Sequence, residues 1–387
     1  MSPKASVDYY RRQQNILFRL LLALRLAWRQ MDPKAKWPEQ YAEDGIAAQI
    51  ALLVSSAQVA AATEADAYLN AVLAELALAE ASDSKVLAPA AFAGVAGSGV
   101  AIEDVLGITV PRAGQAFNRL RATTARRADV ELEQARRALS EAEEAAGRAP
   151  ADRRDLADDA VRQAQRRITD LELVNARTTE ENAQAALDEA ETFLEHVAST
   201  ILADTARAAE KAALATRNEA EGWVRMLNLP SCPRCIVQAG QFFRWNDGFE
   251  RHPLCDCKHI PASEAIAGDL TLDADAYFHS LSREDQDLIF GRADAEAIRL
   301  GADISQVVNA HRGMQVAQVF DKDVAITLEG TTRRGLANQA LTTRRRNTGG
   351  TREAGAAPIR LMPETILAQA RDRDDATRLL ALHGYIL

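Results

Sequence analysis

Apolar positions recur at helical spacing over most of the chain and at strand spacing in few places. Residues 7–79 carry this pattern, broken after the first helix by Asp32-Pro33 and Trp37-Pro38, because proline lacks a donor and disfavours helix in the residue before it. A second helical region follows over 42–80, with only Gly45 near its start as a breaker. Residues 88–111, with Pro89, Gly94, Gly97, Gly99, Gly107 and Pro111, read as a flexible connection. Gly97-Ser98-Gly99 is not followed by the lysine and hydroxyl residue of a phosphate loop. From 116 to 226 the chain is rich in Ala, Glu, Arg, Gln and Leu, and only Gly147 and Pro150 interrupt it before Gly222. Two long helices folded back at Gly147-Arg148-Ala149-Pro150 fit best, as an αα-hairpin or antiparallel coiled coil. At about 1.5 Å per residue, such helices make an arm about 45 Å long. Its mixed charges, among them Glu131, Glu133, Arg136 and Arg137, form a solvated face or an assembly surface for another subunit.

After a cysteine-bearing segment, residues 280–319 read as compact helix. Residues 328–360 then hold seven arginines against Glu329 and Glu353, amid Thr, Asn and Gly. A last helix starts at Pro363-Glu364, with Ile366, Leu367, Leu379 and Leu380 on its apolar face and Gly384 as C-cap. The expected fold is therefore mainly α. Its expected order is an N-terminal helical domain over 1–111, a long helical hairpin over 112–228 and a metal-knuckle segment with a β-ribbon over 229–262. A helical segment over 263–325, a basic flexible loop over 326–359 and a C-terminal helix over 360–387 complete it.

Composition narrows the function classes. Apolar residues make up 47 % and aromatics 5 %, so much of the apolar share is alanine, which favours helix and buries little. That excludes an all-β fold. The net charge of −9 is unlike that of a basic nucleic-acid-binding domain. No stretch reads as long and apolar enough to span a bilayer, so no membrane partner is expected. The segment 16–28 is interrupted by Arg19 and Arg25 and reads as an amphipathic, partner-facing helix. All four cysteines lie between Cys232 and Cys257, which is not a disulfide-dense secreted pattern, and a soluble protein made in a reducing cytoplasm is expected.

That crowding carries the chemistry. Cys232-Pro233-Arg234-Cys235 is a C-x-x-C knuckle, and His252-Pro253-Leu254-Cys255-Asp256-Cys257-Lys258-His259 adds two thiols and two imidazoles. A knuckle aims two sulfurs at one point and a second pair closes a tetrahedron, which suits structural Zn2+. The simplest ligand set is Cys232, Cys235, Cys255 and Cys257. A rival puts His252 in place of one of the last two cysteines, and His259 is a third choice that otherwise faces solvent. A redox pair, a disulfide and an open catalytic zinc fit less well. Asn246-Asp247-Gly248 signals a hairpin turn, hence a short β-ribbon between the ligand pairs. Its aromatics Phe242, Phe243, Trp245 and Phe249 are expected to cover the metal.

Several separated blocks resemble one family. They are Tyr9 to Trp28, Thr205-Ala206-Arg207, Gly222-Trp223-Val224-Arg225 running into the knuckle, and Phe249-Glu250-Arg251-His252-Pro253-Leu254-Cys255-Asp256-Cys257. Gly301-Ala302-Asp303-Ile304-Ser305-Gln306-Val307-Val308-Asn309-Ala310 is another. Arg360-Leu361-Met362-Pro363-Glu364, Arg378-Leu379-Leu380 and His383-Gly384-Tyr385-Ile386 complete the set. Together they resemble the MuF-like minor capsid, or head morphogenesis, proteins of actinobacterial tailed phages. The likeness covers about the first 30 residues, about 198–315 and about the last 30, and departs from the family's arginine at His311. It leaves the arm unexplained.

The resemblance implies a virion protein in the capsid interior, made in the host cytoplasm and present in several copies. It would lie near the portal, contact the portal or the major capsid protein, and act in head assembly or genome delivery. Some relatives are described as capsid maturation proteases, often through a fused protease domain, which is not visible here. No nucleophile elbow and no H-E-x-x-H motif is present, so a non-enzymatic role is expected, with a triad assembled in space left open. A third reading is an internal DNA-contacting protein using Arg344, Arg345 and Arg346 on phosphates.

Overall fold

The computed structural model describes residues 2–42, 45–78, 86–217, 219–319, 322–332, 335, 338–339, 341 and 360–386. Arg344, Arg345 and Arg346, with most of the basic segment, lie outside the described residues. The protein is mainly helical, as its periodicity requires.

The body begins with α1 (Lys4–Trp28), the short α2 (Trp37–Gln40) and α3 (Ile46–Glu75). α1 is amphipathic and buries Leu20, Leu24, Ala27 and Trp28 against α3 and the later helices. α3 corrects one expectation. Its 30 residues include an 18-residue stretch with a mean hydropathy of 1.6, long and apolar enough by length and composition to cross a membrane. Here Ile50, Val54, Ala61 and Tyr68 are buried inside the protein. Residues 88–111 are also more structured than a flexible connection. A turn at Pro89–Phe92, an isolated bridge between Val95 and Ala101, and α4 (Ile102–Gly107) fold them onto α3 and α6. A Cβ at Gly97 would stand 2.7 Å from Asp204 Oδ2, so this glycine serves a close approach.

The hairpin consists of α5 (Thr109–Arg148, 40 residues) and α6 (Arg154–Leu214, 61 residues), folded back where expected. At about 1.5 Å per residue α6 is about 90 Å long. Arg119 meets Glu189 and Arg136 meets Glu172, which fixes the antiparallel register. On α6 the partly covered positions are Ala157, Val161, Ala164, Ile168, Leu171, Asn175, Thr178 and Asn182, alternating steps of four and three. That is a coiled-coil seam in which Val161, Ile168 and Leu171 are interspersed with alanine and polar residues. Among the described residues from 117 to 182, only Ala135 is fully buried. Toward its C-terminus α6 re-enters the body through Leu187, Leu194, Ile201 and Leu202.

The helical pattern does not extend over the whole of 112–228: β1 (Gly222–Met226) follows α6. β1 is the centre of a three-stranded sheet, between β2 (Phe242–Arg244) and β3 (Lys258–Ala262). The expected β-ribbon between the ligand pairs is thus corrected. β2 ends in the turn at Trp245, Asn246 and Asp247, but both β2 and β3 pair antiparallel with β1, which precedes the knuckle. A Cβ on Gly222 would lie 2.0 Å from the Phe243 carbonyl, so β1 and β2 approach this closely only with glycine there.

α8 (Ala267–Leu270) packs on β1 and the core of the body, whereas the C-terminal unit contains α7 (Pro233–Gln238), α9 (Ala274–Ser280), α10 (Arg283–Phe290), α11 (Arg292–Arg299) and α12 (Ile304–Ala310). Asp273, Ser282 and Asp303 cap three of these through their side chains. The expectation of helix to residue 325 fails beyond Ala310. β4 (Met314–Val319) and β5 (Lys322–Thr327) form an antiparallel hairpin there, and β6 (Arg360–Leu361) pairs with β5. The single C-terminal helix is instead α13 (Pro363–Gln369) and α14 (Arg373–Leu382), the second capped by Asp372. Ile236, Phe278, Phe290, Ile298, Val307, Ile366, Leu380 and Tyr385 form one core for this unit.

Arg360, fully buried, ties the unit together. It donates to the His383, Glu329 and Gly384 carbonyls and to Gln306 Oε1, with its guanidinium 4.1 Å from the Tyr385 ring centre. Four hydrogen bonds to neutral oxygens replace a counter-anion.

Candidate metal centre

Local folding brings the thiols together in two steps. Pro233 opens α7 at a position needing no donor, and the Cys232 carbonyl accepts from Cys235 N at 3.0 Å and Ile236 N at 3.1 Å. That turn sets Cys232 and Cys235 side by side. In the second run Cys255 N donates to the His252 carbonyl at 3.1 Å, and Leu254 sits at φ 63° to close the turn. A non-glycine residue in the left-handed region is strained, and here it returns Cys255 and Cys257 toward the knuckle.

The four cysteines are free thiols, and Cys235, Cys255 and Cys257 are buried while Cys232 is half-buried. Cys232, Cys235 and His252 form one group of donor atoms within 4.8 Å of one another, and Cys235, Cys255 and Cys257 form another. Cys235 is common to both. Its sulfur is 3.6 Å from Cys255 Sγ and 3.9 Å from His252 Nε2, and Cys232 Sγ is 2.9 Å from His252 Nε2. An ion with metal–sulfur bonds of about 2.3 Å sets tetrahedral edges of about 3.8 Å, so the donors around Cys235 fit one. His252 Nδ1 donates to the Pro253 carbonyl at 2.7 Å, leaving Nε2 to ligate. These five residues could hold a metal ion.

The protons are shared unevenly. Hydrogen bonding with Cys235 holds the Cys232 thiol at about 5, and the positive charge of His252 contributes. Hydrogen bonds with Cys232, Cys255 and Cys257 push Cys235 up. Thiols this close cannot all ionise unless a cation joins them.

Two buried arginines supply part of that charge. Arg225 on β1 places Nη1 3.5 Å from Cys235 Sγ and 4.0 Å from Cys255 Sγ, donates to Gln238 Oε1 and the Glu250 carbonyl, and stacks on Phe249. Arg207 on α6 donates to the Cys255 carbonyl at 2.8 Å and the Cys257 carbonyl at 3.2 Å, and is ion-paired with Asp204, which also takes Arg251. Phe249 packs on the cysteine cluster as expected, whereas Trp245 is half exposed and Phe242 and Phe243 join the core of the body instead.

His259 is neither a ligand nor solvent-facing. It is buried on β3, with its backbone N and Nδ1 donating to Glu210 Oε2 at 3.1 and 2.7 Å, and its ring meets Trp223 and Phe249 edge-on. Burial lowers its pKa. Glu210, on α6, also accepts from Tyr9 Oη at 2.8 Å and lies 3.8 Å from Lys258 Nζ. Burial alone would raise its carboxyl, yet Lys258 and His259 hold it below the usual range. Sequence reasoning gave no role to Glu210, Arg207 or Arg225. The available signal was Glu210 on the same helical face as Ala206, Ala209 and Ala213, since a charge inside an apolar stripe marks a buried partner.

Comparisons with protein-family models, curated proteins and solved structures return no match.

Proposed function

We propose that this chain is a minor capsid protein of a tailed phage, inside the head near the portal, acting in head assembly or genome delivery. Its metal centre is a structural zinc site. The carrying observation is where the family-like blocks meet. Tyr9 of α1 reaches Glu210, three residues beyond the Thr205-Ala206-Arg207 block, while Arg207 and Arg225 close on the cysteine runs. The remaining blocks meet at Arg360, which joins Gln306, His383 and Gly384, with Asp303 N donating to the Tyr385 carbonyl. Residues far apart in sequence thus build two centres of one body. The arm, which the resemblance does not cover, adds exposed surface suited to contact with the portal or the major capsid protein.

Zinc suits a thiolate-rich site with a histidine. More soft donors than four and burial of three thiols favour a closed structural ion over an open catalytic one. Metal analysis of the purified protein should return about one zinc per chain. Mass spectrometry of virions should find the chain at far lower copy than the major capsid protein, and its absence from virions and proheads alike would overturn the reading. Site-specific trimming of the major capsid protein that survives zinc chelation would favour a protease instead.

A further inference from the structure

Beside the metal centre, α7 and the knuckle face α10, α11 and α12 across a cleft of about 370 Å³. Its floor is apolar, from Phe290, Val308 and Pro233. Arg234 and His311 line it, together with Cys232 and His252 of the candidate metal centre. Arg234 is exposed and, among the described residues, makes no hydrogen bond or ion pair. His311 is held through Nε2, 2.5 Å from Asp294 Oδ2, and its Nδ1 makes no hydrogen bond among the described residues. Asp294 is thereby committed to His311, and no second carboxylate lines the cleft.

We propose that this cleft binds the carboxylate of a peptide end whose last side chain is apolar, with Arg234 as the bidentate anchor, His311 Nδ1 as the second donor, and Phe290 and Val308 seating the side chain. The guanidinium fork matches a carboxylate, and the apolar lining from Phe290, Val308 and Pro233 suits an apolar side chain. The volume is near the lower end for small-ligand sites and fits about one or two residues. A polyanion is the poorer fit, because the chain carries a net −9 and, apart from His252 of the candidate metal centre, only Arg234 and His311 bring basic groups to the site. Hydrogen bonding to Asp294 raises the pKa of His311 against the opposing effects of burial and of Arg234, which favours the imidazolium form in which both ring nitrogens donate. Asp294 is a positioning residue here. This proposal does not depend on the capsid reading.

The test uses the full chain with labelled histidines, the His311 signal being assigned by H311Q. N-acetyl-leucine should shift that signal saturably at millimolar concentration, and N-acetyl-leucinamide, lacking the carboxylate, should bind at least tenfold more weakly. R234M, at an exposed position, should weaken N-acetyl-leucine at least tenfold while leaving the other histidine signals in place. Equal shifts from acid and amide, or unchanged affinity in R234M, would overturn the proposal. So would inorganic phosphate binding as well as N-acetyl-leucine, which would mark a general anion site.

Discussion

Replacing Glu210 with glutamine tests the coupling between α1, α6 and the sheet beside the Cys/His cluster. The substitution keeps shape and removes charge. Both carboxylate oxygens act as acceptors, one for Tyr9 and the other for His259 N and Nδ1, with Lys258 Nζ 3.8 Å away. An amide aimed at His259 would set donor against two donors, so its nitrogen must turn to Tyr9, whose hydroxyl can accept instead. What is lost is the charge opposite Lys258 and the charge assistance to two bonds. Removing one partner of a buried ion pair costs about 3–5 kcal/mol. Losing one hydrogen bond to a charged group, as in Tyr9→Phe, costs about 1.5–3 kcal/mol. Glu210→Gln should therefore cost about 3 kcal/mol or more and exceed Tyr9→Phe. The assay is urea unfolding followed by tryptophan fluorescence, since Trp223 meets His259 at 4.5 Å, with hydrogen exchange of α1 and β3 amides. The pH dependence has a definite sign. The Glu210 carboxyl lies below its unfolded value near 4.5, so its contribution is fully present above that pH and fades as pH falls through the lower folded value. The gap between wild type and Glu210→Gln should thus hold from pH 5 to 7 and close below about 4.5. A cost under about 1 kcal/mol, or unchanged β3 exchange, would refute the reasoning.

Cys235→Ser should abolish stoichiometric zinc, because Cys235 belongs to both donor groups, whereas His259→Ala should keep the metal and lose stability; metal analysis and thermal unfolding separate the two. Chelation should open residues 230–261 to proteolysis while far-ultraviolet circular dichroism still reports an intact helical arm, since knuckle metals can supply on the order of 10 kcal/mol to local folding. Arg225→Met should weaken zinc about 10- to 100-fold in a competition titration, as loss of an outer partner of a metal ligand does. Leu254→Val should cost about 1–2 kcal/mol in urea unfolding, because a β-branched side chain at φ 63° is more strained than leucine, and Leu254→Gly should stay within about 1 kcal/mol of wild type.

The sequence by itself determined the elements whose signals are local. Alanine-rich periodicity and the break at Gly147 and Pro150 gave the hairpin, because helix propensity and chain reversal depend on neighbouring residues. Cysteine spacing gave all five residues of the metal centre, because a knuckle is a turn of a few residues. Tertiary structure decided what depends on distant partners. The hairpin of β4 and β5 has only short apolar runs, which helix and strand periodicities share, and pairing with β6 fixes them as strands. β1 was hidden after a long helix because it is buried end to end and both its neighbours come from beyond the knuckle. Arg207, Arg225 and Glu210 look in sequence like ordinary helix and strand charges. Only the fold, by removing them from water beside thiols and an imidazole, turns them into the outer shell of the site.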